Sequence, residues 1–188
     1  MKQDRELDLA KRFLTAIGCC YSKIESNDRP DINVAIGNRN IGIEVTEFHA
    51  DRGSERKPGE QTLRQAGEES ARKNPGQPYT MAIPTSPYQG LEASIVDKID
   101  KAARYDLSRV DQLWLLISAQ CPSLGALPAT FIINMAIDGT ELDRLFHEKL
   151  LASRFNRVCL HLISDHVVWD WGRSSKWRMI AAGKTDAP

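Results

Sequence analysis

Pro30-Asp31-Ile32-Asn33-Val34-Ala35-Ile36-Gly37-Asn38-Arg39-Asn40-Ile41-Gly42-Ile43-Glu44-Val45-Thr46 is the stretch on which the reading of this 188-residue chain turns. Asp31 to Ile36 and Ile41 to Phe48 alternate in the manner of strands, and Gly37 to Asn40 is turn chemistry, so the stretch predicts a β-hairpin. With Asn38 and Arg39 as the central turn residues, Gly37 faces Asn40, Asn33 faces Glu44 and Asp31 faces Thr46. Asp31, Glu44 and Thr46 then project from one face, with Asp31 and Glu44 diagonal neighbours ~7 to 8 Å apart at the backbone. Ile41, Ile43 and Val45 point the other way, toward a core. Two carboxylates on a half-buried face repel and lose hydration, a cost that a hard divalent cation, Mg²⁺ or Mn²⁺, would offset. The same residues also fit a plainer arrangement, in which Asp31 caps the turn after Pro30 and Glu44 forms an ordinary ion pair.

Outward from the hairpin, Leu7, Ala10, Leu14 and Ile17 repeat at helical spacing, which predicts a helix N-capped by Asp4 and ended by Gly18. A short strand over Cys19 to Glu25 follows, closed by the turn residues Asn27 to Pro30. After the hairpin, Ala50 to Glu60 reads as an exposed loop, Glu60 to Lys73 as a polar helix and Tyr79 to Ile83 as a strand. Ser86, Pro87 and Gln89 open another helix whose buried stripe is Leu91, Ile95, Ile99 and Ala102. Leu113 to Ile117 is short and continuously apolar, as in a strand covered on both faces at the centre of a sheet. A Pro/Gly loop from Gln120 to Pro128, a strand over Thr130 to Asn134 and a helix over Asp138 to Leu151, capped by Asp138 or Thr140, come next. Val158 to Ile163 and His166 to Trp171 pair as closing strands. With no repeat and no long linker, residues 1–188 form a single α/β or α+β domain with a mixed sheet.

Lys+Arg and Asp+Glu balance at 25 each, so no global positive field draws in nucleic acid and any such contact is local. No apolar run approaches the ~20 residues of a membrane span and no secretory segment opens the sequence, making a soluble, cytoplasmic protein the default. Cys19, Cys20, Cys121 and Cys159 have neither CxxC nor Cys/His ligand spacing and read as small core residues in a reducing compartment. His49, His147, His161 and His166 lack zinc-ligand spacing, and His161 and His166, flanking a tight turn, read as surface residues. Without a GxSxG elbow, a GxxxxGK[ST] loop or a GxGxxG turn, the sequence lacks the local signals of serine hydrolases, P-loop NTPases and dinucleotide enzymes.

Pro30-Asp31 followed by Glu44-Val45-Thr46 resembles the PD-(D/E)xK nuclease superfamily, with its restriction-endonuclease-like α-β-β-β-α-β core, over roughly Asp4 to Ile83. The resemblance implies a divalent-metal-dependent nuclease hydrolysing phosphodiester bonds of nucleic acid, DNA first, with Mg²⁺ or Mn²⁺ held by Asp31, Glu44 and the Val45 carbonyl. It further implies that Glu6 assists from the first helix, and that a homodimer would suit two-fold symmetric cutting. Thr46 stands where the family carries lysine, and a hydroxyl supplies neither that cation nor a useful base. Members that displace the lysine to the following helix make Lys57, Arg64 and Lys73 candidates to replace it. Gln65 is a further candidate beside the metal.

Over residues 152–184 the basics Arg154, Arg157, Arg173, Lys176, Arg178 and Lys184 face only Asp165 and Asp170 and interleave with Trp169, Trp171 and Trp177. Arg64, Arg72, Lys73, Arg173, Lys176 and Arg178 are the residues we expect to meet a nucleic-acid backbone. The alternative for the C-terminal group is an edge hairpin packed by its tryptophans and kept soluble by its charges. For the whole chain, the alternative to a nuclease is a catalytically inactive nuclease-like module that binds nucleic acid or protein, a reading Thr46 favours. A structural domain in which Asp31 and Glu44 have no joint role is the third.

Overall fold

The computed structural model describes residues 2–48, 72–73, 88–119, 123–124, 127–128, 137–163 and 167–181. The chain begins with helix α1 (Lys2–Ala16) and strands β1 (Lys23–Ser26), β2 (Ile32–Ile36) and β3 (Arg39–Phe48). Helix α2 (Tyr88–Ala102), strand β4 (Gln112–Ala119) and a minimal ladder of β5 (Ser123–Leu124) and β6 (Leu127–Pro128) follow. Helix α3 (Gly139–Ala152) and strands β7 (Arg157–Leu162), β8 (Val167–Gly172) and β9 (Ser175–Ala181) complete the described fold. This is an α+β architecture around a seven-stranded mixed sheet, ordered β1-β2-β3-β4-β7-β8-β9. The outer thirds are antiparallel meanders, and β3, β4 and β7 run parallel at the centre.

A parallel centre needs cover on both faces, because its crossovers carry helices and its strands have no solvated side. Leu113, Leu115 and Ile117 of β4 pack under α2 and α3 with Leu91, Ile95, Leu142 and Phe146. The alternate residues Trp114 and Leu116 join Ile41, Ile43 and Val45 under Leu9, Phe13 and Leu14 of α1. The apolar run at Leu113 to Ile117 is thus buried on both faces in mid-sheet, as its composition predicts.

Local chemistry sets the element ends. Gly18, at φ +64°, lets the Cys19 amide return to the Leu14 carbonyl (2.8 Å), which closes α1. Asp4 lies in the first turn of α1 rather than at its cap, since the helix already runs from Lys2. Asp138 does cap α3, accepting from the Thr140 amide at 3.0 Å. β1 is confined to Lys23–Ser26, shorter than the predicted strand. Of the remaining expectations, the helix over Glu60 to Lys73 is described only at its helical end, Arg72 and Lys73. The strands over Tyr79 to Ile83 and Thr130 to Asn134 lie outside the described residues. β9 is an addition: Ser175–Ala181 pairs with β8 and makes the C-terminal hairpin a three-stranded meander. Among the described residues no helix is long and apolar enough to cross a membrane.

The hairpin register differs from the predicted one by two residues. Ile36 faces Arg39, Asn33 faces Gly42 and Ile32 faces Ile43, so the turn is Gly37-Asn38. Gly37 has φ +58°, which a two-residue hairpin turn requires at its first position and which glycine adopts without strain. A two-residue shift preserves the side-chain period, so each residue keeps its face and only the partners change.

Candidate metal and acid-base site

The same register carried one residue outward sets Asp31 directly against Glu44, rather than diagonal to it. Both are buried, at 8% and 3% exposure. From Glu44 onward β3 has no strand on its β2 side among the described residues, and the backbone groups of Val45 there are satisfied by side chains instead. The Val45 amide donates to Oδ2 of Asp31 (2.8 Å), and its carbonyl accepts from Nζ of Lys98 (3.0 Å). Asp31 is delivered by Pro30, whose ring packs against Gly42: a Cβ at residue 42 would stand 2.4 Å from the Pro30 Cγ. The site needs glycine there because any side chain would lift the proline and the aspartate after it.

Lys98 also donates to Oε1 of Glu44 at 2.7 Å, with only 14% of its side chain exposed. It comes from α2, on the sheet face that carries Glu44, and sequence reasoning missed it. The signal was present: Leu91, Ile95, Lys98 and Ala102 recur at helical spacing, putting a lysine on the buried stripe. An aliphatic stem can run along apolar surface while its ammonium meets an acceptor, so such a lysine points to an anion inside the fold.

The electrostatics reflect crowding. Burial, and then the neighbouring Glu44 charge, push the Asp31 carboxyl up to about 6, against the opposing pull of the Val45 amide and Lys98. Glu6 adds a smaller push in the same direction from α1, where it pairs with Lys2 at 3.2 Å. Tyr105, buried at the same place, is held well above the usual phenol range by burial and by the Glu44 carboxylate. Oε2 of Glu44 is buried and makes no hydrogen bond of ordinary geometry among the described residues, with the Tyr105 hydroxyl close to the same carboxylate.

An orphaned carboxylate oxygen, a second carboxylate with a raised pKa and a backbone carbonyl form an oxygen-only donor set suited to a hard divalent cation. The set falls short of three side-chain ligands, and among the described residues no group of three His, Cys, Asp or Glu is placed to hold an ion. Asp31, Glu44 and the Val45 carbonyl are brought together as predicted, while Glu6 is near enough to be felt. Thr46 is half-buried and follows Glu44 on its face of β3. Lys57, Arg64 and Gln65 lie outside the described residues. Arg72 and Lys73 are helical and exposed, and Lys98, not these, supplies the cation at Glu44.

The C-terminal cations are committed to the fold more than their sequence implies. Arg173 donates to the carbonyls of Phe155 and Ser153, and Arg178 donates to Asp170 at 3.1 Å. Lys176 is exposed on β9. His161 is not a surface residue: on central strand β7 it is buried and stands 6.1 Å from the Phe13 ring. Cys159 is a core residue as expected, whereas Cys20 is exposed. Cys121 and His166 lie outside the described residues.

Comparison with protein-family models, with curated proteins and with solved structures finds no match to the chain.

Proposed function

We propose that the chain is a divalent-metal-dependent nuclease that hydrolyses phosphodiester bonds of nucleic acid, built on a restriction-endonuclease-like core. The observation that carries this reading is the buried pairing of Asp31 with Glu44, in which Lys98 holds Oε1 of Glu44 and the Val45 carbonyl while Oε2 makes no hydrogen bond of ordinary geometry among the described residues. Among the described residues the order is α1-β1-β2-β3, helical Arg72 and Lys73, then α2 and β4, with the expected Tyr79 to Ile83 strand outside them. This order and the resemblance of Pro30-Asp31 and Glu44-Val45-Thr46 to the PD-(D/E)xK pattern support the reading.

Asp31, Glu44 and the Val45 carbonyl would hold Mg²⁺ or Mn²⁺, with Glu6 assisting from α1. When bound, such an ion supplies Lewis-acid activation of a water and neutralises charge gathering on the phosphate. Lys98 provides the fixed positive charge that Thr46 lacks: its Nζ touches both Glu44 and the Val45 carbonyl and can donate a hydrogen bond to a phosphate oxygen or an attacking water. Asp31 orients the strand segment by accepting from the Val45 amide. Lys98 thereby weakens the case for an inactive interaction module, which rested on the threonine.

The test is cleavage of supercoiled plasmid, linear duplex, single-stranded DNA and structured RNA with Mn²⁺, comparing wild type with Asp31→Asn, Glu44→Gln and Lys98→Met. Metal-dependent cutting by wild type and a loss of about a hundredfold or more in each variant is the expected result. Folded wild-type protein that cuts none of these substrates would return the reading to the interaction module.

A further inference from the structure

On the sheet face that carries α1, an open cleft of about 500 Å³ is lined by Trp114, Arg157, Asp170, Arg173 and Arg178, together with Gln112 and Asn156. Its chemistry is one-sided. Asp170 is buried, at 4% side-chain exposure, and both its oxygens are occupied. Oδ1 accepts from Nε of Arg157 at 2.6 Å and from the Cys159 thiol, and Oδ2 accepts from Nε and Nη2 of Arg178. The amide oxygens are spent as well, Oδ1 of Asn156 on the Leu113 amide and Oε1 of Gln112 on the Trp114 indole N–H.

The donors are not spent. Arg157 has both Nη groups free of any oxygen acceptor, though its guanidinium also neighbours the Cys159 thiol; Arg178 and Arg173 each keep Nη1, and Asn156 and Gln112 keep their amide nitrogens, with no oxygen acceptor for these among the described residues. Three guanidinium groups against one carboxylate leave two net positive charges around the opening. The donors are also held in place: the Arg157 guanidinium lies 4.8 Å from the centre of the Trp114 ring, and Arg173 is pinned by two carbonyls. Held donors lose little entropy when they meet a ligand. What suits such a rim is an anion richer in acceptors than one carboxylate, since five of the lining side chains carry donors.

We propose that this cleft is a phosphate-binding site, taking either a free phosphate group, inorganic or on a mononucleotide, or a backbone phosphate of an oligonucleotide. Asp170 positions two of its arginines, holding Arg157 through Nε and Arg178 through its Nε–Nη2 edge. Burial pushes the Asp170 carboxyl up, but Arg157 and Arg178 outweigh it, so the group stays ionised and the arginines stay aligned at neutral pH. The site lies across the sheet from Asp31 and Glu44 and does not depend on the metal reading of that pair.

The experiment is an NMR titration of the full chain in EDTA, following the Nε–Hε resonance of Arg157 and the indole N–H of Trp114. The probes are inorganic phosphate, a short oligothymidylate, and acetate at matched ionic strength. Saturable shifts with phosphate or oligonucleotide, absent with acetate and weakened about fivefold or more in Arg178→Gln, are the expected result. The Arg178 side chain is 67% exposed and Asp170 keeps Arg157, so this variant should fold. Saturation at lower concentration by the oligonucleotide would assign a backbone phosphate, and the reverse a free phosphate group. Shifts that do not saturate, that acetate reproduces, or that Arg178→Gln leaves unchanged would overturn the site.

Discussion

Asp31 carries a cost that the rest of the site exists to manage. A carboxyl at about 6 in the folded chain, against 3.8 as its ordinary value, keeps its proton longer folded than unfolded. The sign follows: this group's contribution to stability is undiminished below pH 4, declines as pH rises through 6, and stays at its lowest above that. Asparagine keeps an oxygen for the Val45 amide and removes the charge. In EDTA, Asp31→Asn should therefore match wild type at pH 4 and exceed it by about 1 kcal/mol at pH 7, after discounting for solvent screening. Urea denaturation of both proteins at the two pH values measures this. A wild type that gains on the variant as pH rises would show that Lys98 and the amide already outweigh burial and the repulsion from Glu44.

At the scale of elements, the hairpin works because Pro30 rests on Gly42. Gly42→Ala places a methyl carbon 2.4 Å from the Pro30 Cγ and 3.1 Å from Val110 Cγ1, and the proline ring cannot rotate out of the way. The expected cost is about 1 to 3 kcal/mol, with Asp31 displaced from the Val45 amide. Hydrogen exchange at Val45 separates this from general weakening: its amide should lose protection while the central strand β4 keeps its own. Unchanged protection at Val45 would mean that Asp31 is positioned without the proline. The same elements mark what the sequence could reveal. Alternation has period two, so the face shared by Asp31 and Glu44 is legible even when the register is not. The register depended on which pair among Gly37, Asn38, Arg39 and Asn40 formed the turn, and the positive φ of Gly37 settled it. Lys98 stayed hidden for a different reason. It lies 54 residues beyond Glu44, and nothing local says which strand a buried-stripe lysine will meet. His161 was misread because the turn beside it suggested exposure, whereas β7 is a central strand flanked by β4 and β8.

Across the whole molecule, the two carboxylates join three separate parts of the chain. Asp31 precedes β2, Glu44 and Val45 belong to β3, and Lys98 comes from α2. An ion held by these groups in the folded state alone adds RT ln(1 + [L]/Kd) to global stability, about 2.7 kcal/mol at a hundredfold excess over Kd. Mn²⁺ should accordingly raise the Tm of wild type at pH 7 and leave that of Glu44→Gln unmoved. The gain should shrink as pH falls through about 6, where Asp31 takes up its proton. Lys98→Met sharpens the prediction. Removing the ammonium leaves two buried carboxylates uncompensated, so this variant should melt below wild type in EDTA and recover more than wild type does when Mn²⁺ is added. A Tm indifferent to Mn²⁺ in both wild type and Lys98→Met would mean that the pair holds no ion, and that Lys98 alone balances Glu44 in a purely structural role.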